Sequence, residues 1–213
     1  TLAKRLAAHY KLPHLDTGLL YRAVAASVIN KGIDFQDERE CALLATHVEL
    51  SEFDERELRG AGVGAAASVV ASLGAVRRAL FELQRKFAHQ QGGAVLDGRD
   101  IGTVIAPDAD VKIWVDASVE ERARRRFAEL SGMGEAVTEH GVLEQLKERD
   151  ARDAARKDAP MKPADDAIWM DTTRTNPDQT LEKAIEIVEE RRGAPKPVAK
   201  KMARKAVEKK PKT

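Results

Sequence analysis

The chain has 213 residues, of which 43% are hydrophobic, 33% charged and only 4% aromatic, a globular balance in which Ala, Leu and Val must pack the core. A length of this order suits one sizeable domain with a small subdomain and buries about 70% of the unfolded chain's surface. A single cysteine, Cys41, excludes a disulfide framework, no Cys/His cluster has zinc-ligand spacing, and the uncharged stretch 61–76 is too short and Gly/Ala-rich to span a bilayer. A reducing cytoplasm and no membrane segment are the expectation. The net charge of +1 hides an asymmetry: residues 1–190 carry 26 Lys or Arg against 34 acids, whereas 191–213 carry 10 against 1.

Helical spacing opens the chain, with Leu2 and Leu6 on one face and Lys4 and Arg5 on the other, and nothing before Thr1 caps it. KLPHLDTG reads as a short strand entering a turn and a polar loop, because Pro13 disfavours helix at Leu12 and Gly18 permits a tight bend. Residues 19–31 are predicted helical and stopped by Gly32; ECALLATHVEL follows with helical spacing, and SEFDERELRGAG reads as an exposed connection. The stretch 63–90 is predicted as two helices meeting at a bend near Gly74. GGAVLDGRDIGT carries a buried-strand run, 94–96, that meets Asp97, and VKIWVD carries another that ends at Asp116. Ser118 with Glu121 makes a capping box for EERARRRFAEL, closed by Gly132 and Gly134. Helix resumes near Val142 and runs to Pro160, AIWMD is a further strand ending in an acid, and LEKAIEIVEERR a last amphipathic helix. Strands alternating with helices predict an α/β parallel sheet, with ligands at the carboxyl ends of strands.

Three arginine groups stand near those ends. In DTGLLYR, Arg22 lies one turn beyond Gly18, near a helix N-terminus that favours anions; the plain alternative is a capped helix with an exposed arginine. In DGRDIGT, acids flank Arg99, which keeps its fork ready for a phosphate, while an acid at a strand end can hold Mg²⁺ through water; a salt-bridged loop is the alternative. Arg122, Arg125 and Arg126 share one helical face, and Arg149, Asp153 and Arg156 another. Surface ion pairs on helices contribute only ~0.3 to 0.5 kcal/mol, so stability is a poor reason to concentrate charge there and a polyanion such as ATP a better one. Joined by the glycine-punctuated LSGMGEAV, the two helices could close as a lid.

Taken together, TLAKRLA, LDTGLLYRAVA, GAAASVVAS, AVRRALFELQRKFA, VLDGRDIGTVIAPDADVKIWVDASVEERARRR and LKERDARDAAR resemble, in order, the bacterial cytidylate kinase family over about residues 1–190. The resemblance implies a P-loop nucleoside monophosphate kinase fold, a parallel sheet with helices on both faces, here lacking the first strand and the phosphate loop. On that likeness the missing segment would precede Thr1, itself the end of the loop motif and an ATP-phosphate ligand, and a chain beginning there would turn over little ATP. The implied division is core over 1–29, 91–118 and 159–193, a monophosphate-binding region over 30–90, a lid over 119–158 and a disordered basic tail over 194–213.

The implied activity moves the γ-phosphoryl group of ATP to CMP or dCMP with Mg²⁺, in a cytoplasmic monomer. Arg22, Arg99 and Arg156 would be phosphate ligands, with Asp16, Thr17 and Tyr21 beside them in the acceptor site. Arg149 and Asp153 would hold the acceptor's ribose, and Ser68, Arg77 and Asp100 would read cytosine. Asp97 would be the Mg²⁺-associated acid, and Arg122, Arg125 and Arg126 would approach the transferring group. Cytosine's amine donates to a hydroxyl or carboxylate and its O2 and N3 accept from a guanidinium fork, which fits the reading trio. For Ser68 the alternative is close helix packing and for Arg77 a solvated face. Against the likeness, ELSEFDERELRGAGVG lacks strand alternation, so the family's small antiparallel insert is reduced, and Leu19 stands where small residues are common. Two other readings stay open: a kinase for UMP, and a protein that meets nucleic acid weakly and non-specifically through its Lys-rich tail, although that tail lacks aromatic residues for stacking.

Overall fold

The opening helical spacing forms α1 (Leu2–Tyr10), which buries Leu6 and Ala7. The computed structural model describes residues 2–156 and 159–193, so the expectations placed on Thr1 and on the tail 194–213 lie outside the described residues. Beyond Pro13 the chain extends into β1 (His14–Asp16). The polar loop expected after this strand is absent, because α2 (Thr17–Asn30) starts at the next residue. Asp16, still extended at φ −79°, ends the strand and stands as the N-cap of the helix, so one residue does both jobs. Gly32, at φ +64°, follows the end of α2 where the sequence placed the stop.

Next comes α3 (Glu38–Thr46), capped by Asp37, which accepts from the Glu40 N–H at 3.0 Å. The segment expected as a bare exposed connection is partly ordered instead. There Asp54 caps α4 (Glu55–Leu58), accepting from the Arg56 and Glu57 N–H groups, and Leu58 is 2% exposed. The single apolar side chain among charged ones anchors this turn to the core, which the charge pattern concealed. After it, α5 (Ala61–Val70) and α6 (Gly74–Ala88) meet at 98°, with Gly74 the first residue of the second helix. Among the described residues no single helix is long and apolar enough to cross a membrane.

The remaining elements are β2 (Val95–Asp97), a π-helical turn at Ile101–Ile105, β3 (Ile113–Asp116), α7 (Val119–Gly132), α8 (Glu139–Ala154), β4 (Ile168–Asp171) and α9 (Pro177–Gly193). Only half of the expected capping box forms. Ser118 Oγ accepts from the Glu121 N–H at 3.2 Å, but the Glu121 carboxylate turns to Arg124 and Arg125, and the Ser118 N–H donates to Thr173 Oγ1 at 3.0 Å. Two adjacent guanidinium groups outcompete a single amide for that carboxylate.

One sheet was expected; among the described residues the strands form two separate parallel pairs. β1 pairs with β2, Asp16 opposite Asp97, and β3 pairs with β4, Asp116 opposite Asp171. The division follows the hydrogen bonds, since β2 is laddered to β1 and β3 to β4. Each pair is joined by helices, as parallel strands require. Packing divides likewise: one apolar cluster gathers α2, α3, α5 and α6 around Val24, Val28, Val70, Val76 and Leu80. A second joins α1 and α9 through Leu6, Met170 and Ala184, and a third, Ala123, Leu130 and Val142, holds α7 to α8. As the composition required, small aliphatic side chains fill the interior.

Candidate phosphate-binding cleft

Parallel register sets carboxylates opposite one another at the ends of both strand pairs. Asp116 and Asp171 serve local turns: Asp116 Oδ1 accepts from the Ala117 N–H at 2.8 Å, and Asp171 Oδ1 accepts from the Thr173 N–H and hydroxyl. Asp16 and Asp97 face each other across the other pair. His14 Nε2 lies 2.6 Å from Asp97 Oδ1, and Arg59 Nη2 donates to Asp16 Oδ2 at 3.1 Å. Burial, and then the Asp16 charge, raise the Asp97 carboxyl above the usual carboxylate range.

The turn beside them is packed against Gly98. Thr17 Oγ1 donates to the Asp97 carbonyl at 2.8 Å and fills the space a Cβ on Gly98 would need, with Ile101 Cδ1 at 2.9 Å on the other side. Gly98→Ala is therefore expected to destabilise the protein by ~1 to 3 kcal/mol, read as a lower thermal midpoint. An unchanged midpoint would mean that Thr17 yields without strain.

Arg22, on α2, donates to the Leu58 carbonyl at 2.6 Å, and α5 approaches its guanidinium so closely that a Cβ on Gly64 would stand 3.2 Å away. Burial, then Arg126 and Arg59, pull Arg22 down to about 10, with Asp16 opposing. A larger gathering forms on α8. Arg122 Nη1 lies 2.7 Å from Asp150, Arg99 lies 3.6 Å from Asp150 and 3.4 Å from Asp153, Arg149 lies 3.8 Å from Asp153, and Arg156 pairs with Asp153. Arg99 also donates to Met161 Sδ at 3.0 Å. Four guanidinium groups thus meet two carboxylates, and Arg149 Nε, Arg156 Nε, Asp150 Oδ1 and Asp153 Oδ2 are buried without a hydrogen-bond partner among the described residues. Burial pulls Arg149 down to about 10; Arg99 pushes the same way, Asp153 opposes, and Arg22 and Arg156 add their repulsion. Arg22, Arg99 and Arg156 therefore act on one region through Arg149.

Next to this gathering, Arg77 Nη2 donates to Asp100 Oδ2 at 2.5 Å, and its guanidinium lies over the Tyr21 ring, 5.9 Å from the centroid. Burial raises the Tyr21 phenol, and Arg77 counters it. Ser68, on α5, is 3% exposed and Asp100 5% exposed. Arg152 Nη1 donates to Ser68 Oγ at 2.5 Å. The expected residues Arg77, Asp100 and Tyr21 thus border one another, with Arg156 close enough to feel all three, while the partner of Ser68 is Arg152 on α8.

The three arginines of α7 bond to different partners. Arg122 turns toward Asp150 and donates to the Ala117 carbonyl, and Arg126 donates to the Arg59 carbonyl at 2.6 Å. Arg125 reaches the opposite way, onto the Thr172 carbonyl at 2.6 Å, and ties the helix to the end of β4. Residues three and four positions on lie to either side of the first, so a shared face still splays onto different neighbours. The connection after α7 also touches α4 and the start of α5: Arg56 donates to the Met133 carbonyl at 3.1 Å, and the Ala61 N–H donates to the Glu135 carboxylate. Asp150 and Arg152 were missed in the sequence. Their signal was there, since Asp150 stands three residues before Asp153 and Arg152 three after Arg149, on the same helical face.

Parallel strand pairs joined by helices, with an arginine-lined cleft beside strand-end carboxylates, form an α/β nucleotide-kinase fold. A family model, Cytidylate kinase, matches residues 1–190. The chain is 53% identical over 189 residues to a cytidylate kinase of Methylocella silvestris, covering 89% of this chain and 88% of that protein. It is 54% identical over 192 residues to one of Xanthobacter autotrophicus, covering 90% and 92%, and 50% identical over 189 residues to one of Cereibacter sphaeroides, covering 89% and 88%. The chain belongs to the cytidylate kinase family.

Proposed function

We propose that the chain serves the transfer of the γ-phosphoryl group of ATP to CMP or dCMP, giving ADP and CDP or dCDP, as part of a P-loop kinase architecture whose phosphate loop it does not itself include. One observation carries the reading: among the described residues Arg99, Arg122, Arg149 and Arg156 converge on two aspartates and leave the buried Arg149 and Arg156 Nε donors unbonded. Such an excess of fixed positive charge and uncommitted N–H groups suits a cluster of phosphates. Phosphoryl transfer needs positioning and charge neutralisation more than covalent help from the protein, and this donor set offers both.

An acceptor phosphate oxygen attacks the γ-phosphorus in line as the bond to the β-bridging oxygen breaks, and the developing charge falls among these guanidinium groups. Arg22, Arg99 and Arg156 hold phosphates, Arg149 and Asp153 the acceptor's ribose, and Arg122 with Arg126 approaches the transferring group. Arg125, bound to the Thr172 carbonyl, holds the lid helix in place. The separate apolar cluster between α7 and α8 supports treating 119–158 as a lid that excludes water, with 30–90 as the acceptor arm.

For the metal, Mg²⁺ is held by one or two protein carboxylates together with phosphates and water. Asp97 and Asp16 suit that role, because burial and then the facing Asp16 charge raise the Asp97 carboxyl, and a cation would offset both. No group of three or more His, Cys, Asp or Glu forms a metal cage among the described residues, so substrate oxygens must complete the shell. When bound, Mg²⁺ neutralises phosphate charge and aligns the transferring group.

The test is ADP release from Mg-ATP with CMP, dCMP, UMP or AMP as acceptor. CMP is expected to be used far faster than AMP. Equal rates on the two would overturn the base reading by Ser68, Arg77 and Asp100.

A further inference from the structure

We infer that Arg152 is a specificity-determining positioning residue, which holds the Ser68 hydroxyl as a hydrogen-bond donor toward the pyrimidine and joins base recognition to α8. The inference rests on the proposed reading of cytosine by Ser68, Arg77 and Asp100. Among the described residues, Arg152 is the only partner of the buried Ser68 hydroxyl, donating to its oxygen at 2.5 Å. With a cation on one lone pair, the oxygen accepts a second N–H poorly, while its own proton has no acceptor among the described residues and is polarised to donate.

The consequence is chemical. In cytosine N3 is an acceptor, whereas in uracil the same atom carries a proton; with the Arg77 fork turned to Asp100, N3 falls to the Ser68 hydroxyl instead of the fork expected from sequence, and a hydroxyl held as a donor favours cytosine there. Asp100 supplies the complementary acceptor for the exocyclic amine, its other flank being taken by Arg77. Two groups of opposite polarity then face two base atoms of opposite polarity, a stronger filter than either alone.

Placement on α8 adds the coupling. Arg152 stands three residues after Arg149 and four before Arg156, so one helical face carries the proposed ribose, base-orienting and phosphate groups together. Arg152 and Arg156 border a cavity of about 510 Å³ with Ser72 and Gly74 at the α5–α6 bend. Ser68 lies on α5, and Arg152 is thus the contact by which α8 reaches the arm beside the proposed base site.

The experiment compares wild type, Arg152→Ala, Arg152→Lys, Ser68→Ala and the double variant, measuring kcat and KM separately for CMP and UMP. Arg152 is exposed, so its substitutions leave the fold intact, which a thermal scan verifies. Arg152→Ala is expected to reduce the CMP-over-UMP preference in kcat/KM about tenfold, mainly through KM for CMP. Arg152→Lys should restore part of it, and the double variant should lose no more preference than Ser68→Ala. Equal losses on both nucleotides in Arg152→Ala would overturn the inference, leaving Arg152 a general support. An unchanged preference in Arg152→Ala alongside a loss in Ser68→Ala would overturn it while sparing the cytosine reading; an unchanged preference in Ser68→Ala would overturn both.

Discussion

Replacing Asp153 with alanine is expected to lower both stability and turnover more than any other single change in the cleft. The carboxylate is fully buried at 0% exposure and faces Arg99, Arg149 and Arg156. Without it Arg99 keeps Asp150 at 3.6 Å and Arg156 keeps the more distant Asp100, whereas Arg149 loses its ion-pair partner among the described residues and is already pulled down by burial and by its cationic neighbours. Removing one partner from a buried ionic group destabilises by ~3 to 5 kcal/mol. Since each kcal/mol shifts the midpoint of a chain this size by ~2 to 4 °C, thermal scanning should show a fall on the order of 10 °C. Losing the contact geometry of three arginines should lower kcat/KM for CMP by about a thousandfold or more. Added CMP or phosphate should recover part of the lost midpoint, because an anion takes over the neutralising role and binds only the folded state. A variant that melts with the wild type would show that Asp153 does not neutralise this gathering.

Asp100→Asn is expected to collapse the preference for CMP over UMP. The carboxylate is an acceptor only, suited to an exocyclic amine and opposed to the O4 carbonyl of uracil; an amide presents a donor as well. Hydrogen bonds to charged groups contribute ~1.5 to 3 kcal/mol, so kcat/KM for CMP should fall on the order of 10- to 100-fold while UMP is used as well as before or better. Arg77 loses its ionic partner in the same variant, so the thermal midpoint is measured alongside. The ratio of the two substrates separates the effects, since general weakening lowers both. An unaltered ratio would remove Asp100 from base reading.

Comparison of these residues shows what local sequence carries. The acids at strand ends and the arginines on one face of α8 were legible, because period and turn chemistry act within a few residues. The partners of those charges were not. Arg125 has the same local pattern as Arg122 and Arg126, yet Thr172 claims it from across the fold. Leu58, alone among charged residues, gave no sign that it would be buried.

By itself the sequence determined most of the helices and the four strands, though not α4 or the direct passage from β1 into α2, that each strand runs into an acid, and which family the motifs resemble. Tertiary structure alone decided that the strands form two parallel pairs, that only half of the Ser118 box closes, and that Ser68 meets Arg152. The reason is physical: propensity and capping depend on near neighbours, whereas a charge or hydroxyl takes its role from whatever the packed chain brings within about 3 Å.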